Sequence, residues 1–176
     1  DIYEGGHRIP LIVSWKGKFS NETNNSLVSL TDFYATFAQM VNHKLKDEEA
    51  VDSYSIWPIL SKQGASNRKD LVYESGKGYL SLRTPQLKLV FNGGSGGWGY
   101  PNKPADLAQL PPMQLFNLKE DPSEKENIIH DKCYEQEVKE MTQLIRKYVK
   151  EGRSTPGAEV ANDTENDWKQ VNIFMQ

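Results

Sequence analysis

Cysteine and histidine are scarce in this chain: one cysteine, Cys133, and three histidines in 176 residues. A lone thiol excludes an internal disulfide and any zinc site built from several cysteines. His7, His43 and His130 lie far apart, and none belongs to the H-x-x-x-H pair of a helical metal site. Charge of one sign is also lacking. Lysines and arginines number 21 against 24 aspartates and glutamates, a net charge of −3, so the basic footprint of a nucleic-acid binder is missing. No apolar run approaches the ~20 residues of a membrane-spanning helix. No signal peptide is visible. What remains is a chain with 37% hydrophobic and 26% charged residues, a globular composition on the polar side.

The opening, Asp1-Ile2-Tyr3-Glu4-Gly5-Gly6-His7-Arg8-Ile9-Pro10, has the character of the middle of a protein. A two-glycine turn among charged groups feeds straight into Leu11-Ile12-Val13-Ser14-Trp15. Residues 9–15 are nearly all apolar and predict a strand covered on both faces. Thr31 is a good N-cap and Asp32 suits a first helical turn. Phe33, Phe37, Met40 and Val41 then fall at helical spacing and predict its buried face. Ser55 caps a short turn at 56–60, limited by Pro58.

Residues 62–70 are polar and aperiodic and mark the expected boundary. The expected domains are 1–64, the end of a larger α/β domain, and 65–176, a small α+β domain with an extended tail. Beyond the boundary a meander is predicted, with strands at 71–74, 79–83, 87–91 and 114–118. A Gly-rich loop begins at Asn92 and continues through Pro101, Pro104, Pro111 and Pro112. Ser123 with Glu126 forms a capping-box pattern for a short helix. Residues 134–150 carry the clearest helical stripe, Val138, Met141, Ile145, Tyr148 and Val149, with Gly152 as its stop. The Pro/Gly/Asn-rich tail is expected to be extended and held by Trp168, Ile173 or Phe174. The expected fold class is α+β, a four-stranded antiparallel sheet packed on a C-terminal helix.

Few groups converge for chemistry. His43 and His130 sit in polar, loop-like surroundings and are expected at the surface. Cys133 precedes a helix but has no histidine nearby, so an incidental cysteine outweighs a nucleophile. Gly93-Gly94-Ser95-Gly96-Gly97-Trp98-Gly99-Tyr100-Pro101 lacks the Lys-Ser/Thr of a P-loop. Pro101 and Pro104 do not resemble a helix opening, so the dinucleotide fingerprint fails as well. Two readings stay open for this loop: a loose hairpin, or a ligand rim in which Trp98 and Tyr100 offer flat faces to a sugar or aromatic ring. His7 either lines a cleft or packs at a domain seam. Arg8 either pairs with Glu4 as a buried strut or binds an anion.

These residues resemble the sulfatases, including the arylsulfatases. Tyr3-Glu4-Gly5-Gly6-His7-Arg8-Ile9-Pro10 is similar to that family's Y-E-G-G-x-R-x-P segment. Leu30-Thr31-Asp32-Phe33-Tyr34-Ala35-Thr36-Phe37 resembles its L-x-D-[LF]-[YF]-x-T-[LF] helix. Asp52-Ser53-Tyr54-Ser55-Ile56-Trp57-Pro58-Ile59-Leu60 resembles its D-G-x-S-x-x-P-x-L turn, with Ser53 in place of Gly. Arg83 with Leu87-Lys88-Leu89-Val90 resembles its R-x-x-x-x-K-L stretch. Residues 114–127 are similar to its L-[YF]-[DN]-L-x-x-D-P-x-E-x-x-N ending. The Gly-rich loop and Gly152-Arg153-Ser154-Thr155-Pro156-Gly157 resemble bacterial arylsulfatase-like sequences.

The resemblance implies the carboxy-terminal part of an alkaline-phosphatase-like sulfuric-ester hydrolase, acting on a sulfated carbohydrate or an aryl sulfate. It implies a formylglycine nucleophile, made from Cys or Ser in C/S-x-[PA]-x-R, and a calcium ion in the full enzyme. Cys133 is followed by Tyr134-Glu135-Gln136-Glu137, which lacks that pattern. No catalytic residue, metal ligand or cofactor is therefore assigned within this chain, which is expected to be inactive alone. His7, Trp98 and Tyr100 are the expected substrate-binding residues. The resemblance also implies a periplasmic or extracellular location. The alternatives are a non-catalytic glycan-binding or structural module, and a phosphodiesterase or phosphonate hydrolase of the same superfamily. No nucleic-acid partner is expected, and the apolar strand at 9–15 is expected to pair with another copy, pair with the small domain, or stay disordered.

Overall fold

The computed structural model describes residues 1–161 and 169–175. In chain order the elements are α1 (Glu4–His7), α2 (Asp32–Met40), α3 (Trp57–Leu60), β1 (Leu71–Glu74), β2 (Leu80–Arg83), β3 (Leu87–Val90), α4 (Pro104–Leu107), β4 (Gln114–Asn117), α5 (Glu135–Glu151) and α6 (Asn172–Met175). Single 3-10 turns, Lys132–Tyr134 and Lys169–Val171, precede α5 and α6. The described residues divide into two compact units, one of 1–10, 72–147 and 169–175, the other of 11–71 and 148–161.

The first unit carries the four-stranded antiparallel sheet in the order β1-β2-β3-β4. Each predicted strand is present to within a residue at its ends. Tight turns fix the register. The Thr84 hydroxyl oxygen accepts from the Leu87 amide at 2.9 Å, which sets Arg83 opposite Lys88 and Leu82 opposite Leu89. β3 then pairs with β4, Leu89 against Leu115 and Val90 against Gln114. Both strands are buried at every residue. Ile2, Val90, Phe116 and Leu118 form a buried cluster, with Tyr3 and Tyr73 against it.

Two short segments depart from expectation. Residues 123–126 form no helix. The Asp121 carboxylate takes the amides of Lys125 (2.6 Å) and Glu126 (2.8 Å) itself, and Glu124 adopts φ +53°, which no helix accommodates. Conversely, Pro104 opens the one-turn helix α4. A proline is tolerated at a first helical position because the amide it lacks has no partner there.

Helix α5 buries Met141 and Ile145, and Val138, Tyr148 and Val149 of the same stripe are half-buried. It stops where Gly152 takes φ +65°, a left-handed angle that favours glycine. In the tail, Phe174 is buried with its ring 4.4 Å from that of Phe91. Ile173 remains 38% exposed, and Trp168 lies outside the described residues.

The second unit is organised by an ion pair. Asp32 and Arg68 are buried. The guanidinium donates to both carboxylate oxygens, Nε to Oδ2 at 3.0 Å and Nη2 to Oδ1 at 2.5 Å. Arg68 also donates to the carbonyls of Asp52 (2.8 Å) and Asp70 (3.1 Å) and lies 4.8 Å from the centre of the Tyr54 ring. Asp32 accepts in addition from the amides of Ser29 and Tyr54. With its remaining donors and acceptors satisfied, the pair is of the kind that holds several chain segments together.

This pair overturns the expected face of α2. The helix buries Asp32, Ala35, Thr36 and Ala38, whereas Phe37 is 57% and Val41 73% exposed. Phe33 and Phe37 stack on each other at 5.5 Å. Thr31 makes no side-chain cap; the start of the helix is closed by the Ser29 amide on Asp32 instead. The strand expected at 9–15 is also absent. Its residues lack a ladder partner among the described residues, and Ile12 is 86% exposed. Among the described residues no helix is long and apolar enough to cross a membrane.

Replacing Arg68 with Met strands the buried Asp32 carboxylate, and the expected loss is about 3–5 kcal/mol of unfolding free energy. Urea denaturation measures it. The double variant Asp32→Leu/Arg68→Met should recover a large part, and a single variant within ~0.5 kcal/mol of the parent would refute the role given to the pair.

Candidate functional site

The opening segment of the first unit is built around one lysine. Lys88 lies in the middle of a strand and has no exposed surface. Its Nζ is 2.8 Å from Glu124 Oε1 and 3.4 Å from Glu4 Oε1, and it stands 5.4 Å from the centre of the Tyr73 ring. Arg83 Nε approaches the same Glu4 oxygen at 3.3 Å, as an ion pair without hydrogen-bond alignment. The other Glu124 oxygen accepts the Glu4 amide at 2.5 Å. Two cations and two carboxylates therefore close a neutral cluster. Glu4 takes its cations from the sheet, which corrects the expected strut with Arg8; Arg8 is exposed.

Helix α1, a single turn, places His7 beside this cluster. The imidazole stacks on Tyr73, with ring centres 4.6 Å apart and planes 24° from parallel. Its Nε2 is buried without a hydrogen-bond partner. Burial holds the imidazole pKa below its usual value, reinforced by the charge of Lys88 and opposed by Glu4.

The Gly-rich loop is pinned from below. The Asp1 carboxylate accepts the amides of Trp98 (2.9 Å) and Gly99 (3.0 Å). The Ile2 amide donates to the Ser95 carbonyl at 2.8 Å, the Ser95 hydroxyl to the Gly99 carbonyl at 2.5 Å, and the Asn102 side chain to the Trp98 carbonyl at 2.5 Å. A Cβ at Gly94 would collide with the Pro101 carbonyl, and one at Gly97 with the Asp1 carboxylate. The loop is thus closely fitted to its surroundings, and it leaves Trp98 96% and Tyr100 80% exposed.

Beneath the loop is an open cleft of about 660 Å³. Tyr100, Pro101, Leu110, Pro111 and Pro122 give it apolar walls, and Tyr3, Gln114 and Glu124 lie along it. Tyr3 donates to Gln114 Oε1 at 3.1 Å, and its phenol is pushed above the usual pKa by burial. Of the three expected substrate residues, Tyr100 lines this cleft. Trp98 stands on the same loop but is not part of the lining, and His7 packs on Tyr73 instead. Glu4, Arg83, Lys88 and Glu124 are all fixed letters of the motifs quoted above, and that is the sequence signal for the cluster; Asp1 has no such signal. The local pattern Leu87-Lys88-Leu89 by itself does not show that the lysine faces inward.

The remaining candidates carry no chemistry. Cys133 is exposed, and a hydrogen bond to Asp131 raises its thiol pKa, the opposite of an activated nucleophile. His43 is exposed and lies 3.8 Å from Glu49; His130 is exposed. Among the described residues no group of three His, Cys, Asp or Glu is placed to hold a metal ion. The residues present therefore do not fit the calcium that the motifs imply, and no chemical step is assigned through it.

Comparison with known proteins gives a consistent picture. No protein-family model matches the chain. It is 29% identical over 143 residues to an N-acetylgalactosamine-6-O-sulfatase of Bacteroides thetaiotaomicron, covering 81% of this chain and 27% of the relative. It is 28% identical over 138 residues to human arylsulfatase A, covering 72% and 27%. It is 33% identical over 89 residues to an arylsulfatase of Hemicentrotus pulcherrimus, covering 51% and 16%. The chain thus spans about a quarter or less of the length of these relatives. Among solved structures, a Bacteroides thetaiotaomicron protein from the metabolism of multiple glycosaminoglycans matches with a TM-score of 0.51, 24% identity, and coverage of 66% of this chain and 24% of the other. That match supports the fold.

Two outcomes are expected at the site. The unfolded imidazole titrates near 6.5 and the folded His7 lower. Between the two values the unfolded chain binds more protons, so stability rises with pH in that window and falls as pH drops below 6.5. An NMR titration should place the His7 midpoint below 6.5, and a midpoint at or above it refutes the buried, Lys88-facing environment. Separately, Asp1→Ala should increase proteolytic cutting within residues 93–101 several-fold while shifting the global unfolding midpoint little. Unchanged cutting would show that Asp1 does not hold the loop.

Proposed function

We propose that this chain, a relative of the sulfatases, supplies the carboxy-terminal part of a sulfate ester hydrolase. The observation that carries the proposal is the ordered set of sulfatase-like segments from Tyr3 to Gly157, with 29% identity to a sulfatase over 81% of the chain and only 27% of that relative. On this reading the formylglycine and the calcium ion belong to parts of the enzyme outside this chain. The present residues contribute the substrate-facing side through Trp98 and Tyr100, while His7 packs on Tyr73. The N-acetylgalactosamine-6-O-sulfatase relative and the glycosaminoglycan-linked neighbour favour a sulfated sugar as substrate; a periplasmic or extracellular location is proposed on the family resemblance alone.

The surface of the second unit agrees with a place in a larger body. Leu30, Tyr34, Phe37 and Val41 recur at helical spacing along and beside α2 and are all exposed, a row of apolar side chains of the kind that marks an interaction surface. A second reading, a glycan-binding module without chemistry, is favoured by the two exposed aromatic residues on a pinned loop.

The full gene product, expressed with a formylglycine-generating enzyme, should hydrolyse 4-nitrophenyl sulfate or a sulfated sugar in a calcium-dependent manner, whereas the 176-residue chain should not. Turnover by the chain alone, or a full product that cleaves phosphodiesters and no sulfate ester, would overturn the proposal. Glycan binding by the chain joined to a full product with no sulfatase activity would select the second reading.

A further inference from the structure

We infer that residues 1–7 form a proton-operated latch on the aromatic loop: when His7 takes up a proton its turn leaves the sheet, and the loop loses the carboxylate that holds it. Such a latch would regulate the site proposed above, and it rests on that reading only for what the loop does with a ligand.

The seat of His7 suits a neutral ring. The imidazole lies on Tyr73 of β1, with ring centres 4.6 Å apart, and its Nε2 is buried without a hydrogen-bond partner. An unmet nitrogen costs far more on an imidazolium than on a neutral ring. The side-chain charges felt by the ring come from Lys88 of β3 and from Glu4 of its own turn, and both are already engaged. Lys88 is balanced by Glu4 and Glu124, and the same Glu4 oxygen also meets Arg83 of β2 at 3.3 Å. A proton on His7 therefore sets a third cation against two carboxylates. The face of Tyr73 could otherwise steady an imidazolium, but the Lys88 ammonium already stands 5.4 Å from its centre.

Little else holds the turn in place. Helix α1 is four residues long and has no side-chain cap. His7 is half-buried, so a small outward movement brings the charged ring into water and away from Lys88. Asp1 belongs to the same short segment. The turn is packed against its backbone, since a Cβ at Gly6 would stand 3.0 Å from the Asp1 carbonyl. The Asp1 carboxylate in turn accepts the Trp98 and Gly99 amides, and the next amide, that of Ile2, donates to the Ser95 carbonyl. Displacing the turn thus draws on the contacts that order the loop. His43 and His130 are exposed and have no comparable lever.

The test is an NMR pH titration of the ¹⁵N-labelled chain between about pH 7.5 and about pH 5, above the range in which ordinary carboxylates titrate. The Trp98 and Gly99 amides should shift with the same midpoint as the His7 imidazole, below 6.5. The hydrogen-exchange protection of Ile2 and Trp98, corrected for the intrinsic effect of pH, should fall at least tenfold on the acid side. His7→Phe keeps a ring on Tyr73 that cannot titrate and should abolish both changes. His7→Gln, also without a titrating group, should show no step either and serves if the Phe variant does not fold. Loop amides that stay fixed through the His7 transition, a midpoint at or above 6.5, or the same step in the His7 variants would overturn the latch. These readings need no turnover, so an inactive full gene product sinks the hydrolase reading alone, and stationary loop amides beside an active one sink the latch alone.

Discussion

The first unit depends on neutralising Lys88. A lysine without exposed surface in the middle of β3 is tolerable only if its charge is met at short range. The register makes the demand sharper, because Arg83 is the residue directly opposite, and like charges facing each other across a ladder repel. Glu4 resolves the conflict by approaching both cations, at 3.3 and 3.4 Å, while Glu124 takes the shorter contact with Lys88. Neither carboxylate comes from the sheet. One arrives with the opening turn and the other from the segment after β4, so a charge requirement inside a strand fixes the path of two distant segments. The turn carries His7 with it, the Glu124 segment forms one side of the cleft, and Ile2 joins the hydrophobic cluster.

Asp32 and Arg68 impose a comparable constraint on the second unit, with a different chemistry. The guanidinium fork meets the carboxylate through two bonds and has donors left for two carbonyls, which a lysine ammonium could not arrange in one plane. The start of α2, the Asp52–Tyr54 turn and the segment ahead of β1 are thereby joined at one point. A second arginine, Arg153, repeats the strategy at the end of α5. It is buried and donates to the carbonyls of Thr155, Pro156 and Ala158, so the segment after Gly152 is wrapped around a cation. In both places backbone acceptors that lack a helix or ladder partner are satisfied by arginine.

The strands, the long helix and its glycine stop were legible in the sequence because each is a local pattern: short apolar-rich runs between turns for β1 to β4, alternating apolar and polar in β2, and a 3.6-residue stripe for α5. Legibility failed wherever a polar side chain acted at a distance. Phe33 and Phe37 form the better apolar stripe of α2, yet Asp32 decides which face turns inward, and nothing near Asp32 announces Arg68. Ser123 and Glu126 satisfy a capping pattern, but Asp121 captures the same amides first. The apolar run at 9–15 has strand composition without a neighbouring strand among the described residues, and composition alone supplies no ladder. At the site, the aromatic residues of the loop could be found by type and by their glycine neighbours. The cleft could not, since its lining is drawn from residues 3 to 127.

Rigidity is what separates the aromatic loop from an ordinary glycine-rich connection. Glycines lose more conformational freedom on ordering than any other residue, so holding so many of them in one shape requires contacts that compensate. Those contacts come from Asp1, Ser95 and Asn102, and they are spent on backbone atoms, leaving the two largest side chains of the loop in water. Burying Trp98 or Tyr100 would have favoured folding at about 25 cal/mol per Å² of apolar surface. A loop that is ordered by polar contacts while its aromatic rings stay exposed has already met the entropic cost of presenting them, and preorganisation of this kind favours binding. The disposition of the loop, an ordered backbone under exposed rings, therefore supports the substrate-facing role proposed for Trp98 and Tyr100 more strongly than its composition does.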